Sequence, residues 1–463
     1  MNLIKKNLKN LKKVEFYIFS SLLLLPIFLR FITKLSIIEV LNIKYLLSIL
    51  VSFIIVDFVM KSSEGLFSFL QVEISKTLKF LLFNLILFCM SSLFSLMQIN
   101  INFGLQVGIL FFISNLFLIV NNNNLVYKLK QLVNVIIITI VNGRIDYFSY
   151  NRNEIAGDVE RWQYPNIDKI FTNNLIDVFQ NPIDDLGYFY INLLVLANFY
   201  FAIMSKIVLF NNSFIPLTII PLTTFILANY FLYETNLRKN TKAMIFIFNL
   251  LILFINDWVR YLLIDSYMQE GVVSIFFAII FYNFGKVLKQ NANTKYFILI
   301  LLSYFIFSKL FTNLFIFILP MLFSKNLKMK NYVKTFFIMF SGFANLVILL
   351  FLYPKNNLNS FERVIDISNL KYIINYWLED LLFIYIIFCT VILFLFNVLN
   401  KREINPIVIK GLILSFLNLL VILILYTTLW SSGEEFESSY RYYLQMYYIN
   451  LLILGHLADR LNI

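Results

Sequence analysis

Long apolar runs follow one another along almost the whole chain, and this pattern limits the possible folds more than any other feature. A transmembrane helix needs about 20 consecutive, mostly apolar residues. No stretch of soluble-domain composition, internal repeat or Gly/Ser linker separates the runs. The pattern predicts an all-α, polytopic integral membrane protein with about 12–14 transmembrane helices, forming a single membrane domain over residues 1–463. The apolar runs cover residues 15–34, 42–60, 78–97, 103–121, 128–142, 188–210, 213–233, 243–264, 272–289, 296–323, 333–353, 380–399, 407–429 and 441–458.

The composition points the same way. Only 14% of the residues are charged and 60% are hydrophobic, whereas soluble domains have about 25% charged residues. A net charge of +12 would suggest nucleic-acid binding in a soluble protein. In a membrane protein, an excess of Lys and Arg instead holds loops in the cytoplasm. We therefore expect no nucleic-acid partner.

Metal-binding and nucleotide-binding patterns are absent from the sequence. Cys89 and Cys389 both lie inside apolar runs, and the single histidine, His456, lies near the end of the last run. Their positions give neither a disulfide framework nor a metal-ligand spacing. The lack of a P-loop or GxGxxG motif argues against an ATP-driven pump or a nucleotide-sugar enzyme. We expect no metal and no cofactor, so the chemistry would use carboxylates, Arg, Tyr and Lys.

The distribution of Lys and Arg predicts which loops lie in the cytoplasm. Five lysines occur in the first 15 residues and no small-residue cleavage site follows, so we expect an uncleaved, cytoplasmic N-terminus. The lysine-rich residues 325–334 and 401–410 are also expected inside. A fourteen-span arrangement then places three polar loops on the extracytoplasmic side, at residues 143–187, 354–379 and 430–440.

The middle of the chain fits this arrangement poorly. Fourteen spans place residues 237–242 outside, together with Lys286, Lys289 and Lys295, against the positive-inside tendency. The alternative is that residues 296–323 form a broken hairpin and that a further half-span lies near residues 188–213. The sequence leaves both arrangements open, and both keep the three polar loops on one outer face.

The first polar loop is too highly charged to lie in lipid. Residues 144–185 contain eight acidic and four basic side chains. Each charged residue costs about 2.5–3.5 kcal/mol at the middle of a bilayer. Residues 166–179 place apolar side chains at helical spacing, which predicts an amphipathic helix on the membrane surface. It would be either a simple strut or one wall of a groove for a lipid-linked substrate.

The second and third loops repeat this combination of acidic, basic and aromatic residues. Arg363 lies in the second loop beside acidic residues. In the third, Glu437 and Arg441 are four residues apart and would form an ion pair on a helix. Tyr440, Tyr443 and Tyr447 follow at spacings of three and four. This stripe is either an interfacial aromatic belt or a surface for sugar rings, next to an arginine directed at a phosphate.

These residue types suit glycosyl transfer from a lipid-phosphate donor. The planar guanidinium of Arg matches diphosphate oxygens and stays charged. A carboxylate within hydrogen-bond distance of a sugar hydroxyl can act as a general base. Aromatic rings can pack against the apolar faces of pyranose rings.

Two short motifs carry a resemblance to a known family. Residues 143–152 (GRIDYFSYNR) contain Asp-Tyr-x-x-Tyr, and residues 184–194 (DDLGYFYINLL) contain an acidic-x-Gly-Tyr element. Together with the Arg-aromatic cluster at 439–443 (SYRYY), they resemble the EpsG/Wzy group of polysaccharide repeat-unit polymerases. These are multi-span, GT-C-like glycosyltransferases. They join polyprenyl-diphosphate-linked oligosaccharides into O-antigen, capsule or exopolysaccharide, usually without a metal.

The resemblance implies a location, partners and residue roles. The protein would lie in the bacterial inner (cytoplasmic) membrane and bind polyprenyl-diphosphate-linked oligosaccharide and membrane lipid, with a flippase and a chain-length regulator as further partners. Asp146 would be the catalytic base or acceptor-binding carboxylate, and Arg441 would hold the diphosphate leaving group. The expected substrate-binding residues are Arg144, Tyr147, Tyr150, Arg152, Asp185, Tyr188, Arg363, Glu437, Tyr440 and Tyr443.

Other functions remain open at the level of sequence. A related GT-C enzyme could transfer a single sugar from a polyprenyl-phosphate donor. A flippase of lipid-linked oligosaccharide would instead place ionisable groups in the middle of the membrane. Arg30, Asp57 and residues 257–265 are such groups, although Asp257 and Arg260 could neutralise each other within one helix. A scaffold role is the remaining alternative.

Overall fold

The computed structural model describes residues 43–97, 99, 106, 109–110, 113–114, 219–255, 269–307, 314–323, 329–352, 375, 381–428 and 443–460. Every regular element in these residues is helical and they contain no strand, which confirms the all-α prediction for this part of the chain. The α-helices are α1 (Ile43–Phe69), α2 (Lys76–Leu96), α3 (Ile219–Glu234), α4 (Lys239–Ile255), α5 (Gln269–Leu288), α6 (Ala292–Ser303), α7 (Leu319–Phe323), α8 (Met329–Met339), α9 (Ser341–Leu352), α10 (Leu381–Leu399), α11 (Pro406–Thr428) and α12 (Tyr447–Asp459).

Local signals explain where several helices begin and end. α1 and α10 finish in the same way, because Gln71 (φ 55°) and Lys401 (φ 52°) adopt left-handed backbone conformations. The next backbone N–H then bonds back across the last turn, as in a Schellman motif. The Asn291 side chain caps α6 by accepting a hydrogen bond from the Thr294 backbone N–H at 2.9 Å. Pro406 occupies the first position of α11, where its missing N–H costs nothing.

Five segments lie together at one end of the helices, and we call them the turn layer. Gln290 Nε2 donates to the Glu73 carbonyl oxygen at 3.1 Å, and the Arg238 backbone N–H donates to Asp459 Oδ1 at 3.0 Å. A guanidinium N–H of Arg402 also donates to the backbone carbonyl oxygen of Arg460. Because these contacts join distant parts of the chain, the segments share one end of the bundle. The turn layer consists of residues 70–75, 235–238, 289–291, 400–405 and 459–460.

The turn layer contradicts part of one of the two arrangements that the sequence leaves open in the middle of the chain. The fourteen-span count separates residues 237–242 and Lys289 from the other lysine-rich turns, and this part of the count is wrong for the described residues. Residues 235–238 and 289–291 lie at the same end as residues 70–75 and 400–405. The basic turns therefore gather on one side.

The long apolar run 296–323 is broken, as the alternative arrangement predicts. α6 ends at Ser303 and continues as a 3₁₀ turn over Tyr304–Phe307, and a second 3₁₀ turn, Leu314–Phe317, precedes α7. Phe323 has returned towards the turn layer, because Lys410 Nζ, in the second turn of α11, lies 3.7 Å from its ring centroid. The described parts of the run, residues 296–307 and 314–323, therefore start and finish at one end, as a broken hairpin would. The predicted half-span near 188–213 lies outside the described residues.

Within the described part of the chain, two helices are long and apolar enough to cross a membrane, at Gly271–Leu288 in α5 and Pro406–Ile424 in α11. α5 is largely buried inside the bundle, next to α12. α11 has a packed face that includes Val408, Leu414 and Ile422. Its other face is an exposed apolar stripe at helical spacing, which water would disfavour and lipid would cover. That stripe consists of Ile409, Ile413, Phe416, Leu420 and Ile424.

Candidate functional site

Almost all of the site residues predicted from the sequence lie outside the residues that the structure describes. The first and third polar loops are outside, as is the amphipathic helix predicted at 166–179, and the second loop contributes only residue 375. The predicted juxtaposition of the catalytic pair therefore stays a prediction. The residues outside the described part are Asp146, Arg441, Arg144, Tyr147, Tyr150, Arg152, Asp185, Tyr188, Arg363, Glu437 and Tyr440.

The helices on either side of two polar loops are described. α11 starts in the turn layer and runs away from it, and α12 returns to finish there. α11 thus ends, and α12 begins, towards the end of the bundle opposite the turn layer, and residues 429–442, which include the third loop, lie outside the described residues. α9 and α10 have the same relationship across the second loop, since α8 and α9 lead away from the turn layer and α10 finishes in it. We call this opposite end the far end.

Tyr443 is the one predicted substrate-binding residue that the structure describes. Its side chain is only 2% exposed. Asn450 Nδ2 donates to the Tyr443 hydroxyl oxygen at 3.4 Å, and Ser415 Oγ donates to Asn450 Oδ1 at 2.7 Å. These contacts join the start of α12 to α11. The described contacts of Tyr443 therefore hold helices together, and its predicted contact with a sugar stays a prediction.

A second group of hydrogen bonds lies one turn further along the chain. The Tyr447 hydroxyl donates to Asn249 Oδ1 at 2.7 Å, which ties α12 to α4. The Tyr448 backbone N–H donates to Ser274 Oγ at 3.2 Å, which ties α12 to α5. We call the contacts of Tyr443, Tyr447 and Tyr448 the tyrosine network. Hydrogen bonds of this kind fix helices that have no hydrophobic drive to associate in lipid.

The partners of the tyrosines were not predicted from the sequence. Asn249, Asn450 and Ser415 lie inside apolar runs, where a polar residue needs a partner. That rule marks them as interhelical contacts, but it does not say which helix supplies the partner. Arg441 comes two residues before Tyr443 in the chain, so the network anchors the helix that follows the predicted diphosphate-binding residue.

Next to the turn layer, the last residue of α3 is a carboxylate that is hydrogen-bonded to the start of another helix. Glu234 accepts hydrogen bonds from the Lys76 backbone N–H at 2.9 Å and from the Thr77 backbone N–H at 3.2 Å. The Thr77 hydroxyl also donates to it. Burial raises the pKa of Glu234, while the hydrogen bonds from Thr77 and Lys76 oppose the rise. Its role is to satisfy the first backbone donors of α2.

Among the described residues, the polar groups do not form a metal site. No three side chains of His, Cys, Asp or Glu come together there. His456 Nδ1 lies 3.3 Å from Asn405 Nδ2, in a contact between α12 and the turn layer. Asp57, one of the groups that a flippase could use, is ion-paired with Lys61 on the same helix.

The chain matches no protein-family model, no curated protein and no solved structure.

Proposed function

We propose that this chain is a polytopic protein of the bacterial cytoplasmic membrane that joins polyprenyl-diphosphate-linked oligosaccharide repeat units on the outer face of that membrane. The proposal is supported first by the apolar surface. The exposed stripe of α11 runs from Ile409 to Ile424, over four turns of helix. α10 adds further exposed apolar residues, among them Leu395 and Phe396. Surfaces of this length and composition suit contact with lipid.

The charge of the turn layer supports the orientation. Arg238, Lys289, Lys401, Arg402 and Arg460 all lie in it. Loops rich in Lys and Arg stay in the cytoplasm. In our proposal the turn layer is therefore cytoplasmic and the far end faces outward.

One observation carries the functional proposal. Among the described helices that flank the second and third polar loops, α11 runs away from the basic turn layer, and α10 and α12 run towards it. These are the loops that contain Arg363, Glu437 and the predicted catalytic Arg441. Helix ends on one side of the bundle give both loops access to one outward-facing pocket.

The proposed reaction joins two lipid-linked chains. Asp146 takes the proton from a sugar hydroxyl of the acceptor, and the hydroxyl oxygen forms a bond to the anomeric carbon of the donor. The bond between that carbon and the diphosphate oxygen breaks at the same centre. The polyprenyl diphosphate leaves as an anion, and Arg441 stabilises its charge. No metal is needed for this balance of charge and protons.

Deletion of the gene tests the function directly. Loss of a polymerase leaves surface polysaccharide as a single repeat unit, which a gel separates from the normal ladder. A flippase would leave lipid-linked repeats in the inner leaflet. A single-sugar transferase would leave a ladder of full length with an altered repeat unit. Either of the last two results would overturn the proposed polymerisation.

A further inference from the structure

α6 and α8 lie side by side and both lead away from the turn layer. Where α6 ends and α9 begins, directly after the deep end of α8, Ser303 Oγ lies 3.2 Å from Ser341 Oγ and accepts a hydrogen bond from the Gly342 backbone N–H at 2.9 Å. At their outer ends, Tyr296 of α6 contacts Lys334 of α8. The two helices therefore pack beside each other, with their charged end next to the turn layer.

Two lysines converge on a single aromatic ring at this charged end. Lys295 Nζ lies 5.0 Å from the Tyr296 ring centroid, and Lys334 Nζ lies 4.5 Å from the same centroid. The two ammonium groups are thus less than about 10 Å apart. Other described lysines that lie over rings do so singly, as Lys242 does over Tyr233 at 5.0 Å.

The charge of this lysine pair is not balanced by a carboxylate within the described residues. The two ion pairs described there, Asp57–Lys61 and Glu64–Lys76, both involve α1. Lys334 is exposed and Lys295 is half-buried, so an external anion can reach both. Two adjacent ammonium groups attract one phosphate more strongly than either does alone.

Deeper along the same two helices, the exposed surface is apolar. Phe337 follows Lys334 by one turn and is 68% exposed. Phe297 and Ile300 of α6 are exposed as well. A ligand that fits this surface needs an anionic head and an apolar tail that points away from the turn layer.

We propose that Lys295 and Lys334 bind the headgroup phosphate of an anionic phospholipid, whose acyl chains lie along Phe297, Ile300 and Phe337. The site depends on the charged end of α6 and α8 lying at the membrane surface. It does not depend on the chemistry at the far end. The lysines supply the electrostatic attraction, and Tyr296 holds both ammonium groups in place by cation–π contact.

The test uses the full chain, purified in a neutral detergent. It is titrated with dioleoylphosphatidylglycerol, dioleoylphosphatidylcholine and inorganic phosphate, while bound lipids are counted by native mass spectrometry. Each lysine near an anionic lipid is expected to contribute about five-fold in affinity. The Lys295→Gln/Lys334→Gln variant should therefore bind phosphatidylglycerol about 30-fold more weakly, with unchanged binding of phosphatidylcholine.

Lys242→Gln is the matched control, because it removes one ammonium from one tyrosine ring on a different helix. Phosphatidylglycerol binding should stay within about two-fold of wild type in this variant. Equal losses in the control and the double variant would overturn the proposal, as would equal affinity of wild type for both lipids. If free phosphate displaces phosphatidylglycerol at similar concentrations, the ligand is a soluble anion and the lipid assignment fails.

A further measurement uses only the wild-type protein, so its result does not depend on whether the double variant folds. Phosphatidylglycerol binding should weaken strongly between 0.1 and 1 M salt, where the screening length falls from about 10 Å to about 3 Å. Binding that does not respond to salt would contradict an electrostatic site at these lysines.

Discussion

The Glu234 carboxylate at the end of α3 closes the start of α2 through Thr77, which lies 157 residues earlier in the chain. It accepts hydrogen bonds from both the backbone N–H and the hydroxyl of Thr77. A capping residue normally precedes its own helix. Here the cap comes from another helix, so it fixes the relative position of α2 and α3. Asp459 makes a similar contact with Arg238 and Thr241 at the start of α4.

Glu234→Ala should lower stability, because it leaves the first backbone donors of α2 without their acceptor. Loss of a capping side chain costs about 1–2 kcal/mol. The melting temperature of the detergent-solubilised protein measures the effect. Glu73→Ala is the control, since Glu73 is an exposed residue of the same turn layer. Equal melting temperatures for the two variants would show that the cap does not stabilise the fold.

Tyr447→Phe should destabilise the protein, because it leaves the buried Asn249 side chain without its hydroxyl donor. An unsatisfied buried polar group costs about 1–3 kcal/mol. Tyr448→Phe is a matched control, because the described hydrogen bond of Tyr448 uses its backbone N–H. The melting temperatures of the two variants are compared with that of the wild-type protein. If both changes lowered the melting temperature equally, the hydrogen bond between Tyr447 and Asn249 would not be the cause of the destabilisation.

Single-cysteine labelling should place the turn layer in the cytoplasm. Lys289→Cys and Glu403→Cys, in a chain with Cys89→Ser and Cys389→Ser, should react with an impermeant maleimide only after cells are opened. Both positions are exposed, so access is set by the side of the membrane. Ser432→Cys, in the third polar loop, should react in intact cells. Labelling of Lys289→Cys in intact cells would reverse the proposed orientation.

Asp146→Asn and Arg441→Ala should each abolish long-chain polysaccharide while the amount of protein stays normal. Removal of a general base slows a reaction by about 10²- to 10⁴-fold. The chain-length distribution on a gel and an immunoblot of the protein are the measurements. Asp158→Asn and Arg161→Ala change the same loop at positions without a proposed role. Polymer of wild-type length in either test variant would exclude the role proposed for that residue.

The sequence alone determined the helical character of the described chain, because apolar runs of about 20 residues favour one structure in lipid. It also marked the basic segments and the three polar loops, since charge is expensive inside a bilayer. Residues 237–242 carried two opposing signals. Their lysine and arginine content indicated the cytoplasm, while a count of the runs before them indicated the opposite side.

Only the tertiary structure placed residues 235–238 at the same end as the other basic turns, through contacts between residues far apart in the chain. The run 296–323 has the same hydropathy whether it crosses once or turns back, and the break after Ser303 appears only in the folded chain. Contacts that exist only in the folded chain also produce the cap of α2 by Glu234 and the convergence of Lys295 and Lys334 on Tyr296. Apolar periodicity fixes where a helix forms, but side-chain shape and polar pairing fix which helix lies beside it.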